Sequence, residues 1–127
     1  MPPVLPRPRG GAIVNISTIG ALHQVLHGNL AYGSSRAGAT ALTRQFALEF
    51  AGDGILSNAI LVGAIASDPL PDGCVMPLTG PAASAARLPC GQGRPEDVAP
   101  LALLLVSEAG RYINGQGIAV DGGFLVS

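Results

Sequence analysis

The sequence predicts an α/β domain built on a parallel β-sheet, and three observations lead to this fold class. Two short segments, 12–17 and 55–62, are rich in β-branched and aliphatic residues, which is typical of strands. A longer segment with helical periodicity, 31–51, lies between them. A strand, a helix and a strand in this order form a βαβ unit, which requires a parallel sheet. A length of 127 residues fits one domain over 1–127.

Three strands are expected. Segment 12–17, AIVNIS, is apolar at positions that would point to both faces, so we predict a strand buried on both sides. Segment 55–62, ILSNAILV, follows the Gly-Asp-Gly sequence at 52–54, which supplies a helix end and a turn. Segment 117–121, GIAVD, is the third strand, and the glycine pair at 122–123 ends it.

The first helix is predicted over 31–51, where Leu42, Phe46 and Phe50 recur at intervals of four residues. Alanines and glycines fill its other faces. Such small side chains permit the close approach of another backbone, either a sheet or a partner helix, and composition does not choose between the two.

The second helix is predicted to begin in the Arg-Pro-Glu-Asp sequence at 94–97. Proline suits a first helical turn, and acidic side chains complement the positive helix end. We expect Leu101, Leu104 and Leu105 to form its buried stripe. Pro100 lacks the N–H that should bond four residues back, so a bent or delayed helix is predicted.

Two segments carry no regular pattern. Residues 1–11 hold four prolines and two glycines and are interpreted as irregular. Residues 63–93 are rich in glycine, proline, alanine and serine, and an irregular stretch of this length within a domain is usually a functional loop. We therefore expect 63–93 to shape a substrate pocket.

Composition excludes several classes of function. The net charge is −1 and all seven basic residues are scattered arginines, so no basic stripe for nucleic acid exists. The absence of lysine excludes Schiff-base catalysis by this chain. No apolar run reaches the length of a membrane span, and prolines interrupt the start where a signal peptide would lie. We expect a cytoplasmic protein without a membrane partner.

Cysteine and histidine give no metal site or disulfide prediction. Cys74 and Cys90 are interpreted as free thiols, because no secretory signal accompanies them, and no role is assigned to them. His23 and His27 lie four residues apart in a predicted loop without a third ligand nearby. No metal is expected.

A few residues carry the chemistry. Tyr32 and Arg36 lie four residues apart at the start of the first helix and share one face, where a cation would stabilise a phenolate. Ser17 ends the first strand beside Thr18, at the sheet edge where open α/β sheets bind ligands. Gly63 ends the second strand at the same edge. Local explanations also exist: a surface tyrosine–arginine pair, a hydroxyl that caps a turn, and a glycine that makes one.

The motifs together resemble one family. The run IVNIS, then AYGSSRAGATALTRQFALEFAGDGILSNAILVGAIAS, then GRPEDVA, YINGQ and IAVDGG is similar to the carboxyl-terminal half of short-chain dehydrogenase/reductases. The resemblance extends from Gly10 to Ser127 and implies a partial Rossmann-like, doubly wound sheet with three strands and at least two main helices.

The resemblance also implies residue roles. Tyr32 matches the acid/base of an NAD(P)-dependent oxidoreductase that interconverts an alcohol and a carbonyl by hydride transfer. Arg36 stands where the family has a lysine that stabilises the phenolate and bonds the nicotinamide ribose. Ser17 matches the hydroxyl that polarises the substrate oxygen when positions are counted back from Gly20, and Thr18 matches it when they are counted forward from Asn15; we favour Ser17.

The family's nicotinamide-binding stretch has a counterpart after the second strand. Gly63, Ile65 and Ser67 resemble the Pro-Gly-x-Ile-x-Thr sequence that meets the nicotinamide carboxamide, with Val62 in place of the proline. The cofactor-binding residues implied are thus Tyr32, Arg36, Gly63, Ile65 and Ser67. The choice between NAD and NADP, and the identity of the small alcohol or carbonyl substrate, stay open.

The departures leave alternatives. The family's glycine-rich turn, which binds the pyrophosphate at a helix start, has no counterpart in these 127 residues. The alternatives are therefore a non-catalytic remnant or oligomerisation module of the family, or a gene-model fragment. An unpaired edge at 12–17 would favour a homo-oligomer or association with a related chain. We expect the isolated chain to be poorly soluble or associated, and a monodisperse, cooperatively melting monomer would contradict this.

Overall fold

A computed structural model describes residues 10–23, 25–66 and 79–127. Within these residues the chain forms one three-stranded sheet in the order β1-β2-β3, with both strand pairs parallel, and this confirms the predicted α/β class. The strands and the two α-helices are, in chain order, β1 (Gly11–Thr18), α1 (Leu30–Glu49), β2 (Ile55–Val62), α2 (Pro95–Val106) and β3 (Gly117–Val120).

The strand register brings three carboxyl ends to one edge. Along β1 and β2 every residue has a partner, from Gly11 opposite Ile55 to Thr18 opposite Val62. The shorter β3 pairs only with the second half of β2, and its Val120 lies opposite the same Val62. Residues that follow the three strands therefore meet at this edge, which we call the carboxyl edge of the sheet.

α1 packs on the sheet through small and hydroxyl-bearing side chains. Its buried residues are Thr40, Thr43 and Ala47, whereas Leu42 is 48% exposed and Phe50 is 37% exposed. One small face of α1 thus lies on the sheet, whereas Gly38 and Ala41, on another face, are exposed.

α2 starts at Pro95 as predicted, because Asp97 accepts a hydrogen bond from the Arg94 N–H at the helix start. The helix is not delayed by Pro100, which lies inside its regular span. Of the predicted buried stripe, Leu105 is fully buried, but Leu104 is 37% exposed, so that part of the prediction is wrong. α2 packs against β1 and β2 and continues past them into a short 3-10 turn.

The prediction that the first strand is buried on both sides is wrong. In β1 only Ser17 is buried, and Ile16 is 52% exposed. In β2, by contrast, five consecutive residues from Ser57 to Leu61 are buried. The physical reason is position: β2 has a strand on each side, whereas β1 lies at an edge of the sheet that the structure describes.

An apolar cluster closes the carboxyl edge on one side. Its buried members come from all parts of the chain, namely Ile19, Val25, Ala59, Leu61 and Phe124. Most of them follow or end a strand, so the cluster holds the loops at this edge against the sheet.

Of the loop 63–93, the structure describes residues 63–66 and 79–93. Its second part contains two 3-10 turns, Pro81–Ala83 and Ala85–Arg87, and is bonded to the loop that precedes α1. The backbone N–H of His27 donates to Thr79, and that of Ala82 donates to Val25. The two loops that flank the carboxyl edge are thus joined to each other.

Candidate active site at the carboxyl edge of the sheet

Tyr32 lies in the first turn of α1, beside the carboxyl edge. Its side chain is 46% exposed and is therefore accessible to a small molecule. The guanidinium carbon of Arg36, one turn later, lies 5.3 Å from the centre of the Tyr32 ring, within the range of a cation–π contact. The predicted proximity of these two side chains is present in the structure.

Arg36 also contacts β1. Its Nη1 donates a hydrogen bond of 3.2 Å to the carbonyl oxygen of Ile16. The guanidinium is thus placed between the end of β1 and the Tyr32 ring. Since arginine carries five N–H donors, several remain for a bound molecule after this bond is made.

Ser17 points from β1 into the interface with α1. It is 5% exposed, and its hydroxyl donates to the backbone carbonyl of Arg36 at 3.3 Å. Its Oγ also lies 3.2 Å from the hydroxyl oxygen of Thr40. The structure therefore brings Ser17 to the backbone of Arg36, in a buried position.

Thr18 follows Ser17 and, because strand side chains alternate, points to the other side. Its hydroxyl oxygen accepts a hydrogen bond of 3.2 Å from the N–H of Gly20 and caps the short 3-10 turn after β1. Gly20 in turn lies against the first turn of α1, since a side chain at Gly33 would meet the Gly20 carbonyl at 3.4 Å. The turn after β1 thus lies against the first turn of α1, which contains Tyr32.

The residues after β2 are held by the neighbouring strand. The N–H of Gly63 donates to Val120, and a Cβ at Gly63 would lie 2.6 Å from the Asp121 Cα, so only glycine fits there. Ile65 forms an isolated parallel bridge with Gly93. Ser67, the remaining residue predicted to bind the cofactor, lies outside the described residues.

A shallow cavity of about 260 Å³ opens between the ends of β2 and β3. Ile65, Cys90 and Gly122 are among its lining residues, whereas Tyr32, Arg36 and Ser17 are not. Both of its carboxylates are engaged locally, Asp97 by the Arg94 N–H and Asp121 by the N–H groups after it. This cavity therefore lies apart from the three residues that the sequence predicts to be catalytic.

No group of three or more metal-ligating side chains occurs among the residues that the structure describes. Of the two loop histidines, His27 has its Nδ1 3.2 Å from the Thr79 hydroxyl, so it joins two loops. In the same described ranges, no helix has the length and apolar character needed to cross a membrane.

Thr40 and Thr43 are structurally important residues that the sequence analysis missed. Thr43 accepts a hydrogen bond from Asn15 at 2.8 Å, just as Thr40 meets Ser17, so two polar side chains of β1 match two hydroxyls of α1. The spacing of these residues could have indicated the interface. Asn15 and Ser17 lie two apart on a strand and Thr40 and Thr43 lie three apart on a helix, so each pair shares one face.

Comparison with known proteins places these features in a family. A family model described as enoyl-(acyl carrier protein) reductase matches residues 2–125. The 3-oxoacyl-acyl-carrier-protein reductase of Thermotoga maritima is 34% identical over 125 residues, which are 98% of this chain and 49% of that protein. The cis-4-hydroxycyclohexanecarboxylate dehydrogenase of Sinomonas cyclohexanicum is 41% identical over 116 residues, 90% of this chain and 45% of that protein.

Solved structures agree. A blue fluorescent protein from a metagenomic library, in complex with NADPH, is 32% identical with a TM-score of 0.76, covering 92% of this chain and 46% of that one. A short-chain type dehydrogenase/reductase from Mycobacterium ulcerans is 30% identical with a TM-score of 0.74, covering 92% and 42%. The chain spans about half the length of the relatives it matches. Sequence motifs, sheet topology and these similarities together show that the chain belongs to the short-chain dehydrogenase/reductase family.

Proposed function

We propose that this chain supplies the proton-transfer side of an NAD(P)-dependent oxidoreductase that interconverts an alcohol and a carbonyl. The observation that carries the proposal is the contact between Tyr32 and Arg36 at the carboxyl edge, with 5.3 Å between the guanidinium carbon and the ring centre. The contact places a positive charge beside an accessible phenol, and a phenol at a reaction site can act as a general acid or base.

The proton has a defined route in this proposal. When an alcohol is oxidised, its hydroxyl proton passes to the Tyr32 oxygen, and when a carbonyl is reduced, Tyr32 returns a proton to the carbonyl oxygen. A nicotinamide held by Arg36 and the backbone after Gly63 would supply the hydride chemistry at the carbon that bears this oxygen. Arg36 keeps its charge throughout, because guanidinium does not deprotonate in proteins.

The described residues suit the nicotinamide and ribose end of the cofactor and not its pyrophosphate. Arg36 carries five N–H donors, of which Nη1 bonds Ile16, so other donors of its guanidinium can face a ribose, and the backbone after Gly63 reaches the same edge of the sheet. Within the described ranges, no glycine-rich turn leads from a strand directly into an α-helix, which is the arrangement that binds a pyrophosphate. We therefore assign to these residues the nicotinamide and ribose, and not the phosphates.

For the hydroxyl that polarises the substrate oxygen, the contacts favour Thr18 over Ser17, which the sequence favoured. Ser17 is buried, and its proton is donated to the Arg36 carbonyl. Thr18 uses its oxygen to accept the Gly20 N–H, so its own proton is still available to a substrate oxygen. On this basis Thr18→Ala should lower turnover more than Ser17→Ala.

A second candidate function is a non-catalytic association module. It is favoured by the open edge and exposed Ile16 of β1, and by the exposed Leu42 and Leu48 of α1. Such apolar surface fits a homo-oligomer or a complex with a related chain.

Cofactor titration separates the two functions. An oxidoreductase should show a saturable fluorescence change with NADH or NADPH, whichever it prefers. Tyr32→Phe should retain this binding and lose roughly 100- to 10,000-fold in turnover of an alcohol or carbonyl substrate. Tyr112→Phe is the matched control, because Tyr112 lies in the loop before β3, at the opposite end of the sheet, and should leave turnover unchanged. Turnover preserved in Tyr32→Phe would exclude the proposed role.

A further inference from the structure

We propose that Ser17 and Thr40 are positioning residues that hold Arg36 beside Tyr32. Both hydroxyls converge on one atom, the carbonyl oxygen of Arg36, at 3.3 Å from Ser17 and 3.0 Å from Thr40. Both side chains are more than nine-tenths buried. A buried hydroxyl with a defined partner has little freedom to move, so this pair fixes the turn of α1 at which Arg36 sits.

The side chain of Arg36 is held by the neighbouring residue of the same strand. Its Nη1 donates to the carbonyl of Ile16, directly before Ser17. Two consecutive residues of β1 thus contact both ends of Arg36, Ser17 at the backbone and Ile16 at the guanidinium. We call the contacts of Ser17, Ile16 and Thr40 with Arg36 the Arg36 clasp.

Local helix chemistry explains why Ser17 can reach the helix backbone. A threonine hydroxyl inside a helix can donate to the carbonyl four residues earlier, and such a bond often bends the helix. Thr40 makes this bond to Arg36, on the face of α1 that packs against the sheet. The Arg36 carbonyl also accepts from the Ser17 hydroxyl, so helix and strand are linked at this turn.

The clasp limits where the guanidinium can lie. A free arginine side chain samples many rotamers, and only some would put its charge over the Tyr32 ring. The clasp restrains both ends of Arg36, whose guanidinium carbon lies 5.3 Å from the ring centre. The role of the guanidinium position in proton transfer rests on the proposed function, whereas the clasp itself does not.

The Tyr32 ring reports on the clasp without any cofactor. The chain has two tyrosines and no tryptophan, so in a Tyr112→Phe background the tyrosine band of the near-ultraviolet circular dichroism comes from Tyr32 alone. In this background we compare Thr40→Val, which keeps the shape and removes the hydroxyl, with Thr40→Ser, which keeps the hydroxyl.

Thr43→Val is the matched control. Thr43 is also buried on α1 and bonds the carbonyl four residues earlier, but that carbonyl belongs to Ala39 and its β1 partner is Asn15. The expected result is a roughly twofold loss of the Tyr32 band in Thr40→Val, because the ring then averages over rotamers. Thr40→Ser and Thr43→Val should keep the band.

The proposal is overturned if Thr40→Val keeps the full Tyr32 band, or if Thr43→Val lowers it equally. Far-ultraviolet circular dichroism checks that α1 is formed. Should Thr40→Val lose its helix, Ser17→Ala removes the other hydroxyl of the clasp, and an unchanged Tyr32 band in that variant overturns the proposal as well. No cofactor is present in this experiment, so a failure of the oxidoreductase proposal and a failure of the clasp are distinguishable.

Discussion

β1 and β2 are adjacent strands of equal length, aligned residue for residue, yet they differ strongly in burial. Five consecutive residues of β2 are buried, whereas in β1 only Ser17 is. Both strands look alike in sequence, since each is short, aliphatic and β-branched. The difference teaches that the burial of a strand depends on its neighbours in the sheet and not on its own composition.

The two strands also differ in what their side chains contribute, since β2 contributes to the core and β1 to the interface with α1. β2 lies between two strands and contributes Ala59 and Leu61 to the apolar cluster. β1 contributes polar side chains to the α1 interface and ends in two hydroxyls, of which that of Ser17 bonds the Arg36 carbonyl. We therefore expect substitutions in β2 to affect mainly unfolding and those at the end of β1 to affect mainly the site.

The largest effect is expected from a matched pair of isoleucines. Ile16 and Ile60 lie opposite each other in the register, but Ile60 is fully buried and Ile16 is 52% exposed. Ile60→Ala should lower the free energy of unfolding by about 2–5 kcal/mol, because it removes buried methyl groups and leaves a cavity. Ile16→Ala should cost about 1 kcal/mol, since much of its side chain is already in water.

Denaturant unfolding of both variants measures these values. If Ile16→Ala costs as much as Ile60→Ala, the exposed face of β1 is covered in solution and the comparison of the two strands fails. Sedimentation of the parent chain would then show an assembly, as the association module requires.

The second pair is Asn58 in β2 and Asn15 in β1. Asn58 is 1% exposed and bonds two backbone groups, the Ile113 carbonyl at 2.8 Å and the Gln116 N–H at 3.0 Å. Asn58→Ala should cost about 2–4 kcal/mol, because both groups lose their partner away from water. Asn15→Ala should cost about 1 kcal/mol, since Thr43 still donates to Ala39.

Amide hydrogen exchange sharpens this test. The Gln116 N–H should exchange faster in Asn58→Ala and at the parent rate in Asn15→Ala. Equal protection of that amide in both variants would contradict the role assigned to Asn58.

The third pair compares glycines at opposite ends of the two strands. A Cβ at Gly63 would lie 2.6 Å from the Asp121 Cα, whereas one at Gly11 would meet no atom within 4 Å. Gly63→Ala should therefore cost about 1–3 kcal/mol through displaced backbone. Gly11→Ala should be neutral or stabilise by about 0.4–1 kcal/mol, because alanine restricts the unfolded chain. Thermal unfolding without cofactor measures both, and a stable Gly63→Ala would show that the β2 and β3 ends can separate.

The sequence predicted the elements of this fold better than their packing. Strand β2 was predicted with its observed bounds, and the proximity of Tyr32 and Arg36 followed from helical spacing, because both depend on local periodicity. The exposure of Ile16 could not be predicted, since it depends on which strands flank β1. The partner of Ser17 could not be predicted either, because a hydroxyl at a strand end can bond a turn, a helix or a substrate.

The smallest effect is the most discriminating, because it should have opposite signs in the two strands. The Ser57 hydroxyl in β2 is fully buried and, within the described part of the chain, has no hydrogen-bond partner. Ser57→Ala removes an unsatisfied polar group, so it should be neutral or stabilise the fold by about 1 kcal/mol. Ser17→Ala removes a hydroxyl that is bonded to Arg36, so it should destabilise by about 1 kcal/mol.

The two serine variants are chemically identical changes in adjacent strands, and denaturant midpoints that move in opposite directions would isolate the contribution of the partner from that of the residue type. A loss of stability in Ser57→Ala would mean that its hydroxyl has a partner in solution. A Ser17→Ala variant with unchanged stability would mean that the bond to the Arg36 carbonyl contributes nothing. In that case β1 would differ from β2 only in exposure, and the polar interface with α1 would no longer explain how the end of β1 is held beside Tyr32.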